Sequence, residues 1–143
     1  MNATNYLENR LVDLLFRSAT YAKPSALYVA LYTAAPSDTG GGTEVTGGGY
    51  ARVNLAPGDT NWTATQGGTA GASNGTNGTT ANALQITFAT PSAAWGVITH
   101  FAIHDAATGG NALIWGALSV SRDVLNGDPA PRFQPGTLAV KVD

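Results

Sequence analysis

The sequence predicts a mainly β protein, an antiparallel β-sandwich or jelly roll with one N-terminal α-helix, and three observations predict it. Short apolar runs alternate with turn signals, no helical crossover separates those runs, and charged residues make up 11% of the chain, against about 25% in an ordinary globular domain. Glycine, threonine, serine, alanine and asparagine replace the missing charge, and they suit turns and strand edges more than long helices. A length of 143 residues supports one hydrophobic core and is short for two, so a single domain over 1–143 is expected.

The helix comes first. Leu7, Leu11, Leu14 and Leu15 recur at helical spacing, and Asn5 with Glu8 three residues on has the form of a capping box. A helix is expected over about 5–18, its apolar stripe lying on its own domain or on a neighbouring subunit. The sandwich then occupies about 26–143. The run ALYVALYTA (26–34) is apolar on both faces and reads as a central strand. Two glycine triplets, Gly40 to Gly42 and Gly47 to Gly49, flank Thr43 to Thr46 and imply a wide loop or short hairpin before a strand near Tyr50 to Ala56.

Residues 57–82 form a polar stretch whose only large apolar side chain is Trp62. Loops beyond about 12 to 15 residues are uncommon in compact domains unless functional or disordered, so an excursion that orders on a neighbour, or disorder, is expected. Leu84, Ile86 and Phe88 alternate with polar residues as a half-buried strand should. In VITHFAIHD, Phe101 and Ile103 fall on one face and Ile98, His100 and His104 on the other, and a hairpin through ATGGN (107–111) leads into LIWGALSV. Leu138, Val140 and Val142 alternate in a last strand running to the end of the chain.

Composition removes several function classes. A formal net charge of -2 with seven scattered basic residues gives no attraction toward phosphate backbones or anionic lipid, so neither nucleic acid nor membrane is an expected partner. No run approaches the roughly 18 apolar residues of a membrane span, and no targeting segment is evident. Without cysteine there is no disulfide framework or thiolate metal site.

Candidate chemistry is sparse. His100 and His104 have the i, i+4 spacing of a helical zinc pair, but in a strand at about 3.3 Å per residue they stand roughly 13 Å apart. No serine sits in a nucleophile elbow, and the acidic residues are dispersed, so no catalytic set, cofactor or metal is expected. The glycine triplets precede no helix and read as turns, not as a phosphate cradle. Asn-x-Thr sequons at Asn2, Asn61, Asn74 and Asn77 read as chance matches in an Asn- and Thr-rich chain. Trp95, Trp115, Tyr28, Tyr32 and Phe101 could form a sugar platform, but as strand residues they read as core.

The segments YLENRLVDLLFR, ALYVALYTAAPSDTGGGTEVTGGGYARV and WGVITHFAIHDAATGGNALIWGALS, in that order, resemble a family of small bacteriophage virion structural proteins. Members often carry a tail-fibre label, and similar small β proteins serve as capsid cement; the family supplies no catalytic residues. The resemblance implies a structural, non-enzymatic role. From the absence of heptads and repeats, the expected role is a cement or decoration protein on the outer capsid surface. It would bind the major capsid protein, as a homo-oligomer (dimer or trimer), through Leu7, Leu11, Thr43, Glu44 and Trp62. The alternative is a tail-fibre or tail-associated protein that binds a host-receptor glycan.

Overall fold

Val29, Ala30, Leu31 and Tyr32 are four consecutive buried residues, and a strand apolar on both faces must be covered on both. The computed structural model of the chain describes residues 1–142; Asp143, at the end of the expected last strand, lies outside them. In chain order the elements are β1 (Asn2–Ala3), α1 (Asn5–Phe16), β2 (Tyr28–Ala34), β3 (Thr43–Glu44), β4 (Val53–Asn54), β5 (Thr79–Ala81), β6 (Ile86–Thr87), β7 (Gly96–His104), β8 (Ala112–Val124), β9 (Arg132–Phe133) and β10 (Ala139–Lys141).

The main sheet is antiparallel throughout, in the order β1-β8-β7-β2-β3, with β4 on the same edge of β2 as β3. Two short antiparallel ribbons, β10-β5 and β6-β9, make the second layer. The expected mainly β fold with antiparallel sheets and one N-terminal helix is borne out, as are the central position of β2 and the β7–β8 hairpin. Val29, Leu31, Phe101 and Ile103 from the sheet pack with Ile86, Phe88, Leu138 and Val140 from the ribbon side.

One alternation fails. Ile98 shares the core with Phe101 and Ile103 instead of facing away with His100 and His104. The cause is a register irregularity: Ile98 pairs with Arg122 whereas His100 pairs with Ala117. The extra residues bulge out of β8, and a bulge re-aims the side chains beyond it.

Helix α1 begins one residue earlier than its capping-box pattern suggests and ends at Phe16. The cap is Thr4, whose hydroxyl accepts from the Leu7 amide at 3.4 Å and donates to the Ala112 carbonyl at 2.6 Å. The tie to β8 fixes the helix start, while Asn5 uses its backbone N–H on the Asp38 carbonyl. No residue of the helix is fully buried. Leu7 and Leu11 are half-buried, but Leu14 and Leu15 are exposed, so only part of the expected stripe meets the domain.

The polar stretch 57–82 is organised by its own hydrogen bonds. Thr63 bonds Thr80 and Ala81 through both hydroxyl and backbone, Gln66 and Thr65 bridge to Ala72, Ser73, Asn74 and Gly75, and its last residues form β5 against β10. Short polar side chains that bond nearby backbone replace the missing apolar contacts.

The second glycine triplet has a steric reason. At Gly48 φ is +55°, and a Cβ there would stand 2.8 Å from the Trp95 Nε1, which donates to the Gly48 carbonyl at 2.9 Å. Only glycine permits that approach.

Candidate functional site

Of the five contact residues expected from sequence, the structure brings Leu7 and Trp62 together. The turn after Leu55 folds Trp62 back: the Asn61 and Trp62 amides both donate to the Gly58 carbonyl, Asn61 Nδ2 donates to the Ala56 carbonyl at 2.9 Å, and the indole N–H donates to the Leu55 carbonyl at 3.3 Å. The indole is half-buried against the core, so Trp62 is not the freely exposed anchor that its polar surroundings suggest. An indole has a large apolar face and one donor, and here both find partners.

Beside Trp62 opens a groove of about 710 Å³, within the roughly 300 to 1,000 Å³ range of ligand sites. Leu7, Leu27, Ile114 and Val142 supply apolar walls, and Asp59, Thr63, Ser73 and Thr80 add polar groups. The Asp59 carboxylate has no hydrogen-bond or ion-pair partner among the described residues. Leu7 brings α1 to the groove, and elsewhere on that helix large apolar side chains are exposed: Val12 49%, Leu14 51%, Leu15 68% and Phe16 79%. Sequence reading missed Val12, Phe16 and Asp59. The signal available was the unbroken run Leu14-Leu15-Phe16, since three adjacent apolar residues on a helix cannot all face one side.

Thr43 and Glu44 lie on β3, at the other end of the sheet order from β1. Thr43 is exposed. Glu44 is engaged inside the domain: its two oxygens accept from Arg52 Nε at 2.8 Å and from the terminal guanidinium nitrogen at 2.7 Å, and Tyr50 donates its hydroxyl proton at 3.0 Å. Burial pushes the Glu44 carboxyl up, but the Arg52 bonds and charge and the Tyr50 hydroxyl outweigh it, leaving it below its ordinary value. Arg52 also donates to the Ala106 and Gly109 carbonyls. This arginine, passed over in the sequence, ties the glycine-rich loop to the tip of the β7–β8 hairpin with the forked geometry that only guanidinium offers.

On the sheet face opposite the core, His104 is buried and His100 half-buried. Thr99 bonds His100 Nδ1 at 2.8 Å, while Tyr32 bonds His104 Nε2 at 2.9 Å. Among the described residues no three His, Asp or Glu side chains gather as a metal site requires, and no helix is long and apolar enough to cross a membrane. The aromatic residues make no common platform. Phe101 and Trp95 are in the core, and Tyr32 is buried on the opposite face with Trp115 packed beside it.

The protein family described as podophage GP4 fiber I protein gp80 matches residues 2–141, whereas no curated protein matches the chain. The match bears out the resemblance to small phage virion proteins and overturns the expected role as capsid cement, and with it the placement on the outer capsid surface. Compactness and the lack of repeats misled, because a fibre can be assembled from compact subunits and its length need not lie within one chain. Since the match covers nearly its full length, the chain belongs to the podophage GP4 fiber I protein family and is a phage virion fibre protein.

Proposed function

We propose that this chain is a non-enzymatic structural subunit of a podophage tail fibre, that it serves attachment to the host as part of that fibre, and that it docks on other virion proteins through the Trp62 groove and the exposed apolar residues of α1. The observation that supports this most is the number of large apolar side chains left at the surface, those of the groove beside Trp62 and Leu14, Leu15 and Phe16 on α1. A surface with so few charges and so many exposed large apolar side chains has the character of a protein contact.

The experiment introduces Leu15→Asp and Phe16→Asp into the phage genome and measures the amount of this chain in purified virions and the adsorption rate to host cells. Loss of the chain from particles together with slower adsorption is expected. Full incorporation with unchanged adsorption contradicts the proposal.

A second reading, a groove for host surface glycan, is favoured by the indole lying beside the unpartnered Asp59 carboxylate and the Thr63, Ser73 and Thr80 hydroxyls. Binding of host surface polysaccharide to the purified chain, abolished by Asp59→Asn, decides for it.

A further inference from the structure

We propose a second binding site, for an acidic sugar, in the pocket between the bulge of β8 and the β6–β9 ribbon. That the sugar belongs to the host surface rests on the reading of the chain as part of an attachment fibre; the anion site stands on the pocket itself.

The pocket measures about 380 Å³, in the size range of small-ligand sites. It exists because of the bulge. Leu118 to Ser121 stand between Ala117 and Arg122 on β8, where β7 has Thr99 alone between their partners His100 and Ile98. Leu118 and Ser119 of this swelling form one wall, and Pro131 and Phe133 of the second layer form another. Bulges of this kind recur beside binding sites, where they re-aim side chains.

Charge separates this pocket from the rest of the surface. Of the five arginines, Arg10, Arg17 and Arg52 pair with carboxylates. Arg122 and Arg132 have no ion pair or hydrogen bond among the described residues, and both line this pocket. Arg122 stands directly opposite Ile98, a core residue 2% exposed, and directly paired residues share a sheet face. Its side chain therefore leaves β8 on the core side, where the layers part. No acidic residue lines the pocket: the adjacent Asp123 pairs with the exposed Val97 and takes the other face, and Asp128 accepts from the Leu125 amide. Two guanidinium groups left without a counter-ion, in a chain of net charge -2, favour a carboxylate or phosphate between them.

The remaining lining fits a sugar that carries the acid group. Phe133 and Leu118 offer apolar surface to the C–H face of a ring. The Ser119 hydroxyl has no partner among the described residues, and the Thr137 hydroxyl, which donates to the Gln134 carbonyl at 2.8 Å, keeps its acceptor side for a ring hydroxyl. An isolated acid group would use the arginines and leave the hydroxyls and the apolar wall bare.

The test titrates the purified chain by NMR with digalacturonate and glucose 6-phosphate. Maltose serves as the neutral sugar, inorganic phosphate as the anion without a ring, and a peptide rich in Asp and Glu as a protein-like acid. The acidic sugars are expected to bind at least about tenfold more tightly than maltose or inorganic phosphate, with shifts centred on 117–122 and 131–133. Arg122→Gln and Arg132→Gln should each weaken that binding by about tenfold, the loss expected for one charge-assisted hydrogen bond, while Arg17→Gln on α1 leaves it unchanged. Both pocket arginines are exposed, so the variants should keep the thermal midpoint of the unaltered chain.

Equal affinity for maltose or inorganic phosphate, or binding unaltered by both pocket variants, overturns the site. Binding of the acidic peptide alone overturns the sugar and assigns the pocket to another virion protein. Acidic-sugar binding by the chain, with unchanged host adsorption of phage carrying Arg122→Gln, supports the site and overturns its use in attachment.

Discussion

Tyr32 and His104 stack almost parallel, with ring centroids 6.3 Å apart and planes 5° from one another, and the Tyr32 hydroxyl lies 2.9 Å from His104 Nε2. In the strand register the Ala30–Ala102 pair lies between them, and both alanines are fully buried. Small residues at the middle of the two strands let the rings lean toward each other and close over the sheet.

The same pair makes the protein sensitive to acid. Burial, assisted by the Arg52 charge, lowers the His104 imidazole to about 4, against the opposing pull of Glu44 and Asp105. Nδ1 has no hydrogen-bond partner among the described residues, so the doubly protonated ring holds a buried N–H with no acceptor. Above pH 6.5 the ring is neutral folded and unfolded, and the full stability is present. Between pH 6.5 and 4 the unfolded chain takes the proton first, so stability falls as pH falls, by up to about 3 kcal/mol. Glu44, whose folded carboxyl is lowered, adds a further loss as pH falls below its unfolded value. Urea midpoints measured from pH 7.5 to 4 should drop, and His104→Phe should flatten the fall above pH 4.5; equal midpoints contradict the assignment.

Arg52→Lys should destabilise by about 2 to 4 kcal/mol, because an ammonium cannot hold both Glu44 oxygens and the Ala106 and Gly109 carbonyls at once, leaving a partly buried carboxylate underpaired. Hydrogen exchange should quicken at the tip of the β7–β8 hairpin as well as along β3. A change confined to β3 would show that Arg52 does not link the two.

Gly48→Ala should cost at least about 2 kcal/mol, combining the left-handed backbone conformation with the clash against Trp95. Gly41→Ala has positive φ but open space around its Cβ and should cost less. Denaturation midpoints of the two variants check this, and equal losses would remove the steric argument.

Asn82→Asp should be far more damaging than Asn77→Asp in the loop before it. Asn82 is fully buried; its amide donates to the Leu84 and Gln134 carbonyls at 2.7 and 2.9 Å and its oxygen accepts from Leu138 at 2.9 Å. A carboxylate can replace only the acceptor, so two carbonyls lose their donor and about 3 kcal/mol or more is lost. Thermal unfolding should fall steeply for Asn82→Asp and hardly change for Asn77→Asp.

What the sequence made legible follows from where the information lies. Periodicity exposed β2, the β7–β8 hairpin and α1, because their apolar spacing is local. It missed the inward turn of Ile98, since a bulge in β8 depends on pairing with a partner strand. Asn82 looked like any other asparagine of a polar stretch, and its burial comes from Leu84, Gln134 and Leu138, the last two far along the chain. Leu7 and Trp62 were picked out separately, as a helix residue and a loop aromatic. Nothing local could tell that they share one groove, or that Glu44 pairs with Arg52.

The central claim is that this chain belongs to the fibre, and antibody-gold labelling of purified virions tests it most directly. Gold is expected at the tail, with heads unlabelled. Gold distributed over the heads would contradict the account.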